Sequence, residues 1–357
     1  MRIGILTSGG DCQGLNGAMY GVVKTLKHNC REKLEIYGIM EGYTGLINGD
    51  YKKMELEEFD GILNEGGSIL GNSRQPFKKI NDYDKSGNTK VQSMMNNYNE
   101  MKLDCLVVLG GNGSHKTANL LREKGLNVVT LPKTIDNDIN GTEMTFGFQS
   151  AMDIATKTLE QLHTTAKTHK RIIIDEIMGN KAGWLTLYSG LAGEADIILI
   201  PEIPYSIDKV EQFINKKLKE GRRQIMIAAA EGIISQEEAK LSKKELKKKR
   251  KEENYTSAAK YLEKKLSGRV DREIRAVVPG HIQRGGSPNS FDKALTLQLG
   301  AKAAELILNK KYGRMVAVVN NKITSVPLSV AVEKTKRVSP NDEIVKQARM
   351  MGICLGD

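Results

Sequence analysis

Aromatic residues are scarce in this chain, at 5% of the 357 residues, with one tryptophan and six phenylalanines. No stretch approaches the roughly 18 consecutive apolar residues of a helical membrane span. The segment Met1–Thr7 runs straight into a glycine turn, too short for the apolar region of a signal peptide, so a cytoplasmic chain is expected. Four cysteines, Cys12, Cys30, Cys105 and Cys354, show neither paired nor metal-ligand spacing. A disulfide framework and a cysteine zinc site are thereby excluded, and reduced thiols are expected. The chain also lacks the glycine and lysine spacing of a P-loop and the glycine spacing of a dinucleotide fingerprint.

Positive charge, by contrast, is in excess: 54 lysines and arginines against 43 acids give a net +11. A basic chain invites a nucleic-acid reading. Much of the excess, however, sits in Lys240–Lys251, where Glu245 is interleaved, Glu252 and Glu253 follow, and leucines recur as on a solvated helix. No aromatic residue accompanies that run, and Tyr255 and Tyr261 lie beyond it. A solvated helical insertion over about 237–266 is the expectation, and neither nucleic acid nor a membrane is an expected partner.

The length suffices for two packed lobes. Short β-branched runs alternate with longer amphipathic ones, the pattern of an α/β protein whose largely parallel sheet is covered by helices on both faces. Expected strands are 2–7, 34–39, 105–109, 128–131, 171–176, 197–200, 224–229, 276–278 and 315–319. Expected helices are 15–27, 116–124, 149–164, 183–192, 207–219, 237–266 and 290–308. A lobe boundary is expected near Gly147, with the chain crossing back around Gly280–Gly286.

Glycine and acidic clusters follow the strands, where open α/β sheets bind ligands. Ser8-Gly9-Gly10-Asp11 and Gly110-Gly111-Asn112-Gly113-Ser114 offer bare amides before helical stretches, which suits a phosphate; tight structural turns would read the same way. In Thr134-Ile135-Asp136-Asn137-Asp138 an extended backbone would put Thr134, Asp136 and Asp138 on one side, but Lys133 would then point the other way, so a loop is expected. Two carboxylates beside Lys133 suit proton abstraction next to a phosphate, although an Asx-rich surface turn has the same composition. His281 and Arg284, in a glycine-rich turn, suit an anionic group.

Thr7–Asp11, Gly110–Ser114, Pro132–Asp138, Met178-Gly179 and Gly280–Gly286 stand in an order and spacing that resembles the 6-phosphofructokinase family over nearly the whole chain. The resemblance implies two Rossmann-like lobes, each a largely parallel sheet sandwiched by helices. A donor-binding lobe would span 1–147 plus about 281–330, and a sugar-phosphate lobe 148–280 plus about 331–357. The implied reaction is magnesium- and ATP-dependent phosphorylation of fructose 6-phosphate. Asp136 would be the base, assisted by Asp138, with Thr134 and Arg74 completing the catalytic set. Gly10, Arg74, Gln75, Gly111, Asn112, Gly113 and Ser114 would hold ATP. Thr134, Ile135, Asp136, Met178, Gly179, Asn180 and Glu231 would hold the sugar, and Arg171, Arg275, His281, Ile282, Gln283 and Arg284 would surround its 6-phosphate. Arg171 and Arg275 match arginines that cross a subunit interface, which implies a homodimer or homotetramer.

Departures from the family pattern concern the donor. Asn112 stands where the family carries an aspartate associated with magnesium; asparagine offers a carbonyl oxygen without charge. Asn180 replaces an arginine, with Lys181 following it. Gly113 is the small residue that goes with nucleotide use, whereas Lys133 resembles pyrophosphate-using branches. A missing obstruction admits ATP whatever the lysine does, so ATP is expected and pyrophosphate is the alternative. Tyr20, Lys24 and His163 replace the effector-site arginines of allosteric bacterial relatives, so the effector control of those relatives is not expected.

Overall fold

The apolar runs become strands in the computed structural model, which describes residues 1–357. In chain order these are β1 (Arg2–Ser8), β2 (Glu35–Ile39), β3 (Tyr51–Met54), β4 (Cys105–Gly110), β5 (Val128–Pro132), β6 (Ile172–Ile177), β7 (Ile197–Leu199), β8 (Ile225–Ala230), β9 (Ile274–Val277), β10 (Arg314–Val319) and β11 (Lys322–Pro327). The chain forms two units, Met1–Ser150 with Arg284–Lys336, and Ala151–Gln283 with Arg337–Asp357.

The first unit is built on a seven-stranded sheet in the order β11-β10-β5-β4-β1-β2-β3. Its five inner strands are parallel, and β3 and β11 pair antiparallel at the two edges. Every residue of β4 and β5 is buried, which is why both read as continuous apolar runs. The sheet packs Leu6, Leu106, Val108 and Val128 against Tyr43, Met94, Ala118 and Leu121 of the covering helices.

The second unit has a four-stranded parallel sheet in the order β7-β8-β6-β9. One of its faces packs Ile172, Ile174, Ile225 and Ile227 against Val210, Ile214, Ala259 and Leu262.

The two antiparallel edge strands were not expected from the sequence. Tyr-Lys-Lys-Met and Lys-Ile-Thr-Ser-Val-Pro are short, polar and largely uncovered, so the apolar signal is missing. The β10–β11 hairpin turns through Asn320 and Asn321, both left-handed at φ 50° and 57°, as a two-residue primed turn requires.

The lysine-rich segment is not one solvated helix over 237–266. Helix Lys243–Glu252 has no buried residue and starts in a capping box between Ser242 and Glu245. The chain breaks at left-handed Asn254 and restarts, capped by Ser257, as helix Ala258–Leu266. That second helix buries Ala258, Ala259, Tyr261, Leu262 and Leu266 in the core, at roughly 1.5–3 kcal/mol for each large side chain. Arg250 anchors the solvated helix by ion-pairing buried Glu238 at 2.9 Å and lying 4.2 Å over the Tyr255 ring.

Candidate active site

In the first unit β1 and β4 lie side by side, Ser8 opposite Gly110 at their carboxyl ends. From there β1 connects towards β2 on one side and β4 towards β5 on the other, so the strand order reverses between them. This switch point is where an open α/β sheet leaves a crevice for ligands. Both glycine clusters open onto it.

After β4 a helix runs over Asn112–Glu123, four residues earlier than the expected 116–124. Asn112, Gly113 and Ser114 are therefore its first turn, whose amides have no intrahelical partner, and no acidic side chain stands in that turn. A side chain at Gly110 would strike the Ser114 Cβ at 2.2 Å, whereas one at Gly113 would meet no atom within 4 Å. The helix start is tightly packed behind and open in front.

After β1, Gly9 turns left-handed at φ 93° and donates its amide to Ser73 O at 3.0 Å. This bond brings the Gly71–Gln75 segment alongside the turn. A Cβ at Gly10 would lie 3.0 Å from an Arg284 nitrogen and 3.4 Å from an Arg74 nitrogen. Arg284 also ion-pairs with Asp11 at 3.1 Å. Arg284 thus stands in the first unit, in the Gly10–Arg74 cluster.

Lys133 follows β5, is only 4% exposed, and donates its Nζ to Gly10 O at 2.5 Å. Burial pushes its ammonium pKa down, while Cys12, Asp136 and Asp11 pull it back up. Beyond it Thr134, Asp136 and Asp138 are partly exposed, whereas Ile135, Asn137 and Ile139 between them are buried. The period-two alternation survives although the segment is a turn, with Asn137 left-handed at φ 49°. The Asp136 amide donates to Thr134 Oγ1 at 3.1 Å.

Asn112 Nδ2 donates to Asp138 Oδ2 at 2.7 Å, tying the helix start to the carboxylate turn. Burial pushes the Asp138 pKa up, and the Asn112 bond opposes that shift. That bond fixes the orientation of the Asn112 amide, whose carbonyl oxygen is the one atom it can offer a metal. No three His, Cys, Asp or Glu residues converge to hold a metal anywhere in the chain.

In the second unit Met178-Gly179-Asn180 follows β6, with Gly179 at φ 141° and Asn180 at φ 53°. Glu231 Oε1 accepts from the amides of Asn180 at 2.7 Å and Gly179 at 3.3 Å, so Glu231 shapes this turn. Gln283, expected beside the sugar phosphate, is fully buried. Its amide accepts from Met178 N and donates to Glu176 O, both at 3.0 Å, so it braces the Met178 backbone instead of facing a ligand. Ile135 likewise buries its side chain. Arg171 and Arg275 are brought together, one on each oxygen of Glu273. His281 and Ile282 are exposed on a short 3₁₀ turn, Ile282 at 70%.

Two supports of the carboxylate turn carry no sequence signal. Thr145 donates to Asn137 Oδ1, and Lys336 reaches the same oxygen from 199 residues away. Only a co-varying partner could have pointed to the latter.

The sequence profile described as Phosphofructokinase matches residues 2–307. A Spirochaeta thermophila protein named ATP-dependent 6-phosphofructokinase is 46% identical over 357 residues, covering 99% of this chain and 97% of that protein. A Bacteroides thetaiotaomicron protein named ATP-dependent 6-phosphofructokinase 3 is 44% identical, covering 100% of both. Among solved structures, phosphofructokinase from Saccharomyces cerevisiae is similar with a TM-score of 0.76 and 29% identity. That similarity spans 93% of this chain and 45% of the yeast chain. Fold, motifs and full-length relatives agree: the chain belongs to the phosphofructokinase family.

Proposed function

We propose that this chain phosphorylates the 1-hydroxyl of fructose 6-phosphate with ATP and magnesium in the glycolytic direction, giving fructose 1,6-bisphosphate. Two relatives named ATP-dependent 6-phosphofructokinase, 46% and 44% identical over essentially full length, support the reaction. The observation that carries the reading is the 2.7 Å bond between Asn112 and Asp138, which couples a helix N-terminus to a carboxylate turn at the switch point.

In this reading the first-turn amides of Asn112–Ser114, with Gly10, Gly111, Arg74 and Gln75, hold the ATP phosphates. Arg74 and Lys133 counter the charge that spreads over the transferring phosphoryl. Asp136 accepts the proton of the attacking hydroxyl, Thr134 orients it, and Asp138 holds the turn to the donor helix. Met178, Gly179, Asn180 and Glu231 receive the sugar. Arg171, Arg275 and His281 take its 6-phosphate. Arg284, paired with Asp11, serves the donor side.

Kinases in general need a divalent metal. Magnesium is held through one or two protein oxygens plus substrate phosphates, so a chain without an acidic cage fits an ion that arrives on the nucleotide. Asp11 and the Asn112 carbonyl would hold it, and it would supply positive charge to offset that of the donor phosphates.

The partly exposed Arg171 and the exposed Arg275 would serve the 6-phosphate of a neighbouring protomer in a homodimer or homotetramer. No helix is long and apolar enough to cross a membrane.

The empty space around Gly113 favours ATP, because nothing blocks an α-phosphate there. Buried Lys133 at Gly10 favours pyrophosphate as the second reading. Measuring kcat/KM for fructose 6-phosphate with ATP and with pyrophosphate, side by side, separates them. ATP is expected to be the better donor, and a strong pyrophosphate preference overturns the steric argument.

A further inference from the structure

We propose that Lys336 is a positioning residue for the Asp136–Asp138 turn, fixing the base through hydrogen bonds to the loop that carries it. The proposal rests on the kinase reading above, with Asp136 as base. Lys336 is remote in sequence and belongs to none of the family motifs quoted above.

Its side chain is partly buried within the loop. Nζ donates to Asn137 Oδ1 at 3.0 Å, to Thr142 O at 2.9 Å and to Glu143 O at 2.9 Å. Its own amide donates to Asp138 O at 2.8 Å, and neighbouring Thr335 bridges Ile139. These bonds converge on the span 137–143, immediately after the base.

Asn137 is the residue that needs holding. It sits between the two carboxylates in the left-handed region, a backbone conformation that persists where surrounding contacts fix it. Its Oδ1 accepts from Lys336 Nζ and from Thr145 N, while its Nδ2 donates to Glu143 O at 3.2 Å. Removing the ammonium leaves Oδ1 and two loop carbonyls short of a charged donor. The left-handed backbone then relaxes, and Asp136 and Asp138 on either side move with it.

The far side of the loop is already pinned. Glu143 accepts from Asn320 N at 2.6 Å and Asn321 N at 3.2 Å on the β10–β11 turn. Lys336 is therefore the clamp on the carboxylate side.

A misplacement of about 1 Å in a reacting group costs about 10²-fold in rate. In Lys336→Met, kcat is expected to fall about 10–100-fold, with KM for ATP and fructose 6-phosphate within about threefold of wild type. In an Asp136→Ala background the same substitution should have little further effect, because a positioner acts only through what it positions. If Lys336→Met fails to fold, Lys336→Gln keeps one or two of the donor contacts and should give an intermediate kcat. A purely structural lysine would instead lower Tm and leave kcat per folded molecule unchanged, or lose rate equally in both backgrounds; either result overturns the proposal. Inactive wild type with both phosphoryl donors overturns the kinase reading and this proposal together. Active wild type with an equally active Lys336→Met variant overturns this proposal alone.

Discussion

Arg74 and Arg284 crowd the bare glycine turn after β1, with Lys133 bonded to its backbone and Asp11 ion-paired to Arg284. Arg171 and Arg275, in the second unit, lie at an exposed strand end and share one carboxylate, that of Glu273, itself 43% exposed. The first unit holds its cations through backbone geometry that the fold fixes. The second holds its pair through an ion pair worth about 0–1 kcal/mol, which an incoming phosphate can replace at little cost. An enzyme that must shield a reactive phosphoryl gains from a rigid donor side. On the proposed assignment, the sugar phosphate that enters and leaves every cycle would meet the exchangeable side.

Breaking the rigid side should have the largest effect. Asp136→Ala is expected to lower kcat about 10²–10⁴-fold with Tm nearly unchanged, as steady-state assay and thermal unfolding would show. Turnover that survives intact would remove Asp136 as the base.

A second test contrasts the buried ionisable groups of the two units. Lys133 has a bonded partner, while fully buried Asp175 on β6 has neither carboxylate oxygen hydrogen-bonded. Burial, with Glu176 adding, pushes its pKa up to about 8. A raised carboxyl pKa means the folded state keeps the proton the longer. That contribution is complete below the ordinary carboxylate pKa and is lost as pH climbs from about 4 through about 8. Asp175→Asn should therefore raise Tm by about 2–5 °C at pH 8–9, and by less at pH 5. A Tm difference independent of pH would show that Asp175 does not fold protonated.

The smallest expected effect sharpens the exchangeable side. If Glu273 competes with phosphate for the two arginines, Glu273→Gln should lower KM for fructose 6-phosphate about two- to fivefold, the range a surface ion pair allows. A raised KM would mean that Glu273 orients the arginines instead of occupying them.

Much of this was readable in advance. The buried parallel strands announced themselves through continuous apolar runs, whereas the sequence pointed to a loop at Thr134–Asp138 and the alternate exposure there came from the structure. The helix start at Asn112 was missed because asparagine and glycine are poor helix formers, so a helical first turn reads as loop. The lysine-rich span reads as one amphipathic helix because nothing local reveals the left-handed break at Asn254. Gln283 and Arg284 are adjacent in sequence yet lie in different units, one bracing a backbone and the other paired with Asp11.

Sequence by itself determined what is local. Glycines permit the left-handed turn at Gly9 and the tight approach at Gly110. Tertiary structure alone decided which distant groups complete those turns. The register of β1 against β4 creates the switch point, Arg284 meets Asp11, and Lys336 meets Asn137. No dihedral preference reaches across 199 residues; only packing the sheet and its hairpin brings that lysine to the carboxylate turn.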